Sequence, residues 1–320
     1  MVRLVLSLAL LQNAEIRTTV PLVVAPVSVT DREGKPVPGL EEGEFVLHDN
    51  GAPRPHRLEV TNQPLSMVIA IQTNRQAGPA LAKLSKVGSM VQPLLAGEKG
   101  SVAVLTYSDR VQQQLGFTSD TGEVSAAFAA LRPDGHGSCM LDAVQAAARM
   151  LGDVDAGRRK VLIVIGETRD RSSEAKLADV IEGAVQAGIT IYPVSFSVYL
   201  TPFTSMGKEK FGDKPDDPPV FQPSGGGGFS IVSILTELAR LGSANAAEAL
   251  AKATGGQKLS FVRLKGLEEV VEKLSGELHN QYLLTFTPAG GEPGYRGIRV
   301  LLKKRPELAV RTRPGYWLRP

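Results

Sequence analysis

Five polar residues stand where apolar runs end: Gln72, Asn74 and Gln76 after Val68–Ile71, Ser138 ahead of an amphipathic stretch, and Glu167 after Val161–Ile165. Both apolar runs read as buried parallel strands, and the carboxyl ends of such strands are where α/β proteins build their sites. Oxygen-bearing side chains on converging loops are the raw material of a hard-cation site. A divalent ion, however, usually asks for one or two carboxylates, and Glu167 is the only charged residue of the five. The amides offer carbonyl oxygens without neutralising an ion, and Arg75 and Arg169 flank the same loops. The residues therefore predict no bound metal and no cofactor. Two uses remain open. One is a hydrogen-bonding platform for a protein loop, with Arg75 or Arg169 meeting an acidic side chain. The other is that these side chains only satisfy loop backbone groups.

Other chemistry finds little footing, and no catalytic residue is assigned. Cys139 lies three residues from His136, but a thiolate–imidazole pair needs convergent side chains and an orienting third group. His48, His56 and His279 are scattered, and Asp213, Asp216 and Asp217 lack the ligand order of a calcium loop. Gly225–Gly228 precede a helical pattern from Ile231 to Leu241, without the strand or Lys-Ser/Thr of a phosphate loop. Arg296, Arg299, Lys303, Lys304, Arg305, Arg311 and Arg313 mostly alternate with apolar residues, as on a solvated sheet face. With a net charge of +3 and sparse aromatics, nucleic acid is not an expected partner. The single cysteine excludes an intramolecular disulfide.

The elements that must position these residues fall into four segments. Residues 1–14 have the pattern of an export signal: Arg3, the apolar run Leu4–Leu11 and a small residue at Ala14. No other apolar run is long enough to span a bilayer, so no integral membrane segment is expected in the mature chain. Residues 15–63 read as strands, with Val27 and Val29 on one face, Phe45 and Leu47 on another, and Asn50-Gly51 as a type I′ hairpin turn. Residues 64–280 alternate strands with helices. Strands are expected at Val68–Ile71, Val102–Thr106, Val161–Ile165, Ile189–Val194 and Gln257–Phe261. Helical stripes run through Leu141, Val144, Ala148 and Leu151, through Leu177, Val180, Ile181 and Ala184, and through Leu267, Val270, Val271, Leu274 and Leu278. That alternation predicts a mainly parallel sheet covered on both faces. The Pro/Gly-rich stretch 201–230 reads as a flexible insertion. Residues 281–320 return to the strand period, and neither terminal segment can bury its face alone. The two are therefore expected to complete one β-sandwich, with the α/β domain inserted between them.

The runs MVIAIQTNRQ (67–76), HGSCMLDA (136–143) and RKVLIVIGETRD (159–170) closely resemble a von Willebrand factor A domain. In that family an Asp-x-Ser-x-Ser loop, a Thr and a distal Asp hold Mg²⁺ or Mn²⁺. Here those positions are Gln72, Asn74, Gln76, Ser138 and Glu167, all five changed. The resemblance implies a Rossmann-like A domain with a degenerate adhesion site. It also implies that Gly97–Gly100 turns into the antiparallel edge strand at Val102. Over nearly the full chain, Val29–Phe45, AKATGG (251–256) and Gln281–Pro288 resemble the linked motifs of the VWFA-related family first described from acidobacteria. The combined expectation is a bacterial, exported, non-enzymatic module of adhesion or scaffold type. It would bind a protein partner without metal. The alternatives are an enzyme or nucleotide-binding protein on the same scaffold, or a purely structural envelope domain.

Overall fold

The computed structural model describes residues 22–59, 63–155, 157–196, 245–261 and 264–318. The expected signal at 1–14, the insertion at 201–230 and the helix at Ile231–Leu241 lie outside the described residues.

Six strands form the central sheet: β5 (Leu65–Gln72), β6 (Ser101–Tyr107), β7 (Val111–Thr118), β8 (Arg159–Gly166), β9 (Ile189–Phe196) and β10 (Leu259–Phe261), in the order β10-β9-β8-β5-β6-β7. All neighbours run parallel except β6 and β7. The antiparallel edge is thus β7, one strand later than expected, and Gly97–Gly100 leads into an interior parallel strand. β7 reads VQQQLGFT and buries none of its residues fully. Its pairing comes from the backbone ladder to β6, which no periodicity announces.

Helices cover both faces. On one, α1 (Gly78–Val91), α2 (Thr121–Ala129) and α6 (Leu264–Asn280) pack over Met67, Ile69, Ile71, Ile163 and Val194. On the other, α3 (Met140–Gly152), α4 (Leu177–Gln186) and α5 (Ala246–Thr254) pack over Val68, Ala70, Leu105, Leu162 and Ile191. β5 is buried along its whole length, as a strand covered twice must be. On α3 the fully buried alanines are Ala143 and Ala147, with Ala148 at the margin of the stripe. The chain leaves β5 for one face of the sheet and β8 for the other. The crevice between their carboxyl ends is therefore a topological switch point.

The remaining strands build a β-sandwich from both ends of the chain. β1 (Val23–Thr30) lies between β11 (Tyr282–Phe286) and β13 (Ala309–Thr312), in a sheet closed by β4 (Arg57–Glu59). β12 (Gly294–Leu302) lies between β14 (Gly315–Leu318) and β2 (Phe45–Asp49), which turns at Asn50-Gly51 into β3 (Ala52–Arg54). Both turn residues have positive φ, 50° and 88°, as a type I′ turn requires. Val27, Phe45, Leu47, Phe286 and Val300 fill the core between the sheets. The fold is a doubly covered α/β domain inserted into a small sandwich.

The sandwich docks at the amino-terminal end of the parallel strands. Arg159, the first residue of β8, donates to Leu278 O (2.8 Å) and to Gln281 Oε1 (2.6 Å), where α6 passes into β11. Arg311 donates to Gly255 O at the end of α5 (3.2 Å). The carboxyl ends of β5 and β8 point the opposite way.

Candidate functional site

Three loops meet over the β5–β8 crevice, tied by backbone bonds. Asp134 N donates to Thr73 O (2.6 Å), Arg75 N to Gly135 O (3.1 Å) and Arg171 N to Ser138 O (3.1 Å). These loops carry all five residues singled out from sequence.

Gln72 is fully buried and crosses from β5 to the end of β8, where its Oε1 accepts from Glu167 N at 2.7 Å. That crossing needs Gly166. A Cβ there would collide with the Tyr107 hydroxyl and lie 2.7 Å from Gln72 Oε1. Asn74, 2% exposed, accepts from Ala77 N (3.1 Å) and donates to Gly137 O (3.2 Å), capping the turn before α1. Ser138 is buried, its N donating to Ser172 Oγ (2.9 Å) and its Oγ reaching Arg169 O (3.5 Å). Gln76, Arg75 and Arg169 stand exposed on the rim. The loops thus bring together Gln72, Asn74, Ser138 and Glu167, and leave the other three outside.

The guanidinium that meets Glu167 belongs to Arg171, at 3.0 Å, with the Glu167 side chain 11% and the Arg171 side chain 48% exposed. The sequence points to Arg75 and Arg169 as the flanking cations and not to Arg171, which stands four residues from Glu167. Nor does it point to the carboxylates that hold the loops. Asp109 accepts from His136 N (3.1 Å) and Gly137 N (2.6 Å). Asp170 accepts from Leu141 N (3.1 Å) and Ser173 Oγ (2.6 Å), and Asp142 from Ala175 N (2.9 Å). Nearby, burial holds the Tyr107 phenol well above its usual pKa, with the Cys139 thiol, Asp170 and Glu167 adding to the shift.

This donor set does not fit a divalent cation. Two amide oxygens are committed to backbone N–H groups, and the one carboxylate faces a guanidinium. Gln72 Nε2, an N–H donor, is buried with no partner among the described residues. No group of three or more His, Cys, Asp or Glu able to hold a metal ion occurs among the described residues. Cys139 is 1% exposed, and burial, with Asp142 adding to it, pushes its thiol up to about 11. The thiolate, the nucleophilic form, is thereby disfavoured. His136 lies exposed, its backbone held by Asp109.

Residues 69–168 match the family model of the von Willebrand factor type A domain, the stretch from β5 to just past Glu167. Among solved structures, the chain is similar to a conserved hypothetical protein, BatB, of Bacteroides thetaiotaomicron (14% identity, 66% of this chain and 97% of that one, TM-score 0.44). It is also similar to the vWF domain of the type V pili tip protein Mfa5 of Porphyromonas gingivalis (10% identity, 67% and 96%, TM-score 0.43). A von Willebrand factor type A protein of Catenulispora acidiphila aligns over more of the chain (9% identity, 92% and 72%, TM-score 0.48). No curated protein matches. No helix among the described residues is long and apolar enough to cross a membrane.

Proposed function

We propose that this chain is a non-enzymatic protein-interaction module, of adhesion or scaffold type, that engages its partner without metal at the carboxyl end of the six-stranded sheet. One observation carries the reading: four of the five side chains, all but Gln76, are already engaged within the loops. Gln72 Oε1 and Asn74 Oδ1 accept from loop backbone, Ser138 Oγ turns to a loop carbonyl, and Glu167 is paired with Arg171. Docking of the sandwich at the opposite end supports it, because that packing leaves this face clear of the second domain. Arg3 and the Leu4–Leu11 run support a partner outside the cytoplasm.

A ligand that binds only the folded state raises stability by RT ln(1 + [L]/Kd), so melting curves test the metal half of the proposal. Millimolar Mg²⁺ or Mn²⁺ is expected to shift the transition no more than an ionic-strength control. A micromolar site would add about 4 kcal/mol at a thousandfold excess. Saturable, EDTA-reversible stabilisation refutes the proposal. For the interaction half, proteins captured from an envelope fraction are compared between the native chain and an Arg75→Glu/Arg169→Glu variant. Capture should persist in EDTA and fall in the variant; capture indifferent to the reversal would move the binding surface elsewhere.

A further inference from the structure

We propose that β7 is a homotypic edge: two copies of this chain pair there, antiparallel across a two-fold axis, and join their six-stranded sheets into one. β7 is the outer strand of the sheet, bonded on one side to β6, with α2 and α3 packed against it. A free edge presents a row of unpaired N–H and C=O groups, and native sheets guard such rows with proline, charge, short length or a covering element. Other edges of this molecule are guarded in these ways. β3 contains Pro53, Leu58 N of β4 donates to Glu42 Oε2 (2.9 Å), and β10 is three residues long. β7 has eight residues without a proline or a charge, and its Gln113, Gln114, Gly116 and Phe117 stand exposed. Phe117 is one of few large apolar side chains open to solvent among the described residues, at 36%.

The charges just outside the strand select the partner and the direction. Arg110 precedes β7 and Asp120 follows it, both exposed and neither in an ion pair among the described residues. Antiparallel pairing sets the start of one strand beside the end of the other. Arg110 of each copy therefore meets Asp120 of the other copy, and no like charges face each other between them. A parallel pairing would set Arg110 against Arg110. Asp120 accepts from Glu123 N on Oδ1 (2.9 Å) and keeps Oδ2 for the contact. Two register shifts between β6 and β7 leave the strand bulged, which adds twist and shortens the usable edge. The dimer is accordingly reversible and forms as concentration rises. Its contact is isologous, so it consumes the edge and closes at two copies. Because the paired strands run oppositely, so do the two sheets, and the carboxyl-end faces of the copies look away from each other. The dimer thereby bridges two partners; that consequence rests on the docking reading above, whereas the pairing does not.

Sedimentation equilibrium of the full chain across a concentration series should show monomer passing to dimer and no larger species. Amide exchange in β7 should slow as the dimer forms. Arg110→Asp leaves acidic groups at both ends of the edge, and Asp120→Arg leaves basic groups at both. Each variant alone should lose about tenfold in dimer affinity, since two attractions become two repulsions. Mixed in equal amounts, the two should dimerise with each other as the native chain does, because every contact again joins opposite charges. Asp120→Arg also removes the cap of α2, a loss that mixing cannot restore, and melting curves establish that each variant is folded. Gln113→Lys leaves the cap alone and places a charge on the edge itself, so it should weaken the dimer too. A chain that stays monomeric throughout overturns the proposal. So does a dimer indifferent to these substitutions, or one that mixing does not restore. Growth past two copies overturns it as well, since β7 would then be meeting a different surface. No measurement here involves the partner, so the docking face of the crevice stands or falls separately by envelope capture.

Discussion

Replacing Glu277 by alanine should loosen the sandwich from the α/β domain. Glu277 sits one turn before the end of α6 with 8% of its side chain exposed, and its Oε1 is a shared acceptor. Arg311 of β13 approaches to 2.7 Å, the Tyr192 hydroxyl of β9 donates at 2.7 Å, and Ser28 Oγ of β1 donates at 3.1 Å. Three elements from two domains therefore meet on one oxygen. Breaking a buried ion pair by removing one partner costs about 3–5 kcal/mol. Arg311 keeps 28% of its side chain exposed and can recover some hydration, which argues for the lower end of that range. Tyr192, fully buried, would lose its acceptor for a further 1 kcal/mol or so. The sum is about 4 kcal/mol. Glu277→Gln keeps an acceptor for both hydroxyls and removes only the charge, so it should cost roughly half as much. Urea unfolding gives the magnitudes, and amide exchange gives the location. Protection should fall in β1 and β13 as well as in α6. A cost below about 1 kcal/mol for the alanine variant, or exchange that quickens in α6 alone, would show that the cluster does not join the domains.

Three further outcomes follow from the same packing. Gly166→Ala should destabilise the fold by about 2 kcal/mol, because the added methyl has no room beside Tyr107 and Gln72; pairing it with Tyr107→Phe should recover part of the loss, and an unchanged melting curve would contradict the packing. Burial raises the phenol pKa of Tyr107, Tyr192, Tyr295 and Tyr316 above the ordinary phenol value of 10.0. The folded state therefore holds protons that the unfolded state releases above pH 10, and stability present below that value should fall as pH rises through it, by about 1.4 kcal/mol per pH unit for each phenol. Ultraviolet titration should show these phenols ionising together with unfolding, and gradual ionisation in the native state would contradict it. Cys139, buried and with its thiol pushed up to about 11, should resist alkylation at pH 8 until denaturant is added; rapid labelling of the native chain would refute this.

The residues themselves determined much of this architecture. The parallel strands from Val68 to Phe261 are written as short continuous apolar runs and the stripes on α3, α4 and α6 at a period of 3.6, which nearby residues carry without help from the rest of the chain. The Asn50-Gly51 turn was equally legible, since positive φ at two successive residues is a local requirement. Gln72, Asn74, Ser138 and Glu167 could be named because the resemblance to the von Willebrand factor A domain lays that family's ligand positions on them. Their partners could not. Whether Glu167 faces Arg169 or Arg171 depends on how the loop after β8 folds over Ser138, and no periodicity governs a loop. β7 escaped notice because an edge strand with half-exposed side chains is held by its ladder to β6. Ser28 alternates with Val27 and Val29 as a solvent-facing residue should, yet it is buried, because Glu277 arrives against it from 249 positions away. Periodicity reports which face of an element is apolar; only the closed tertiary structure decides what lies against the other face, and there a polar residue becomes a surface group, a buried partner or a binding site.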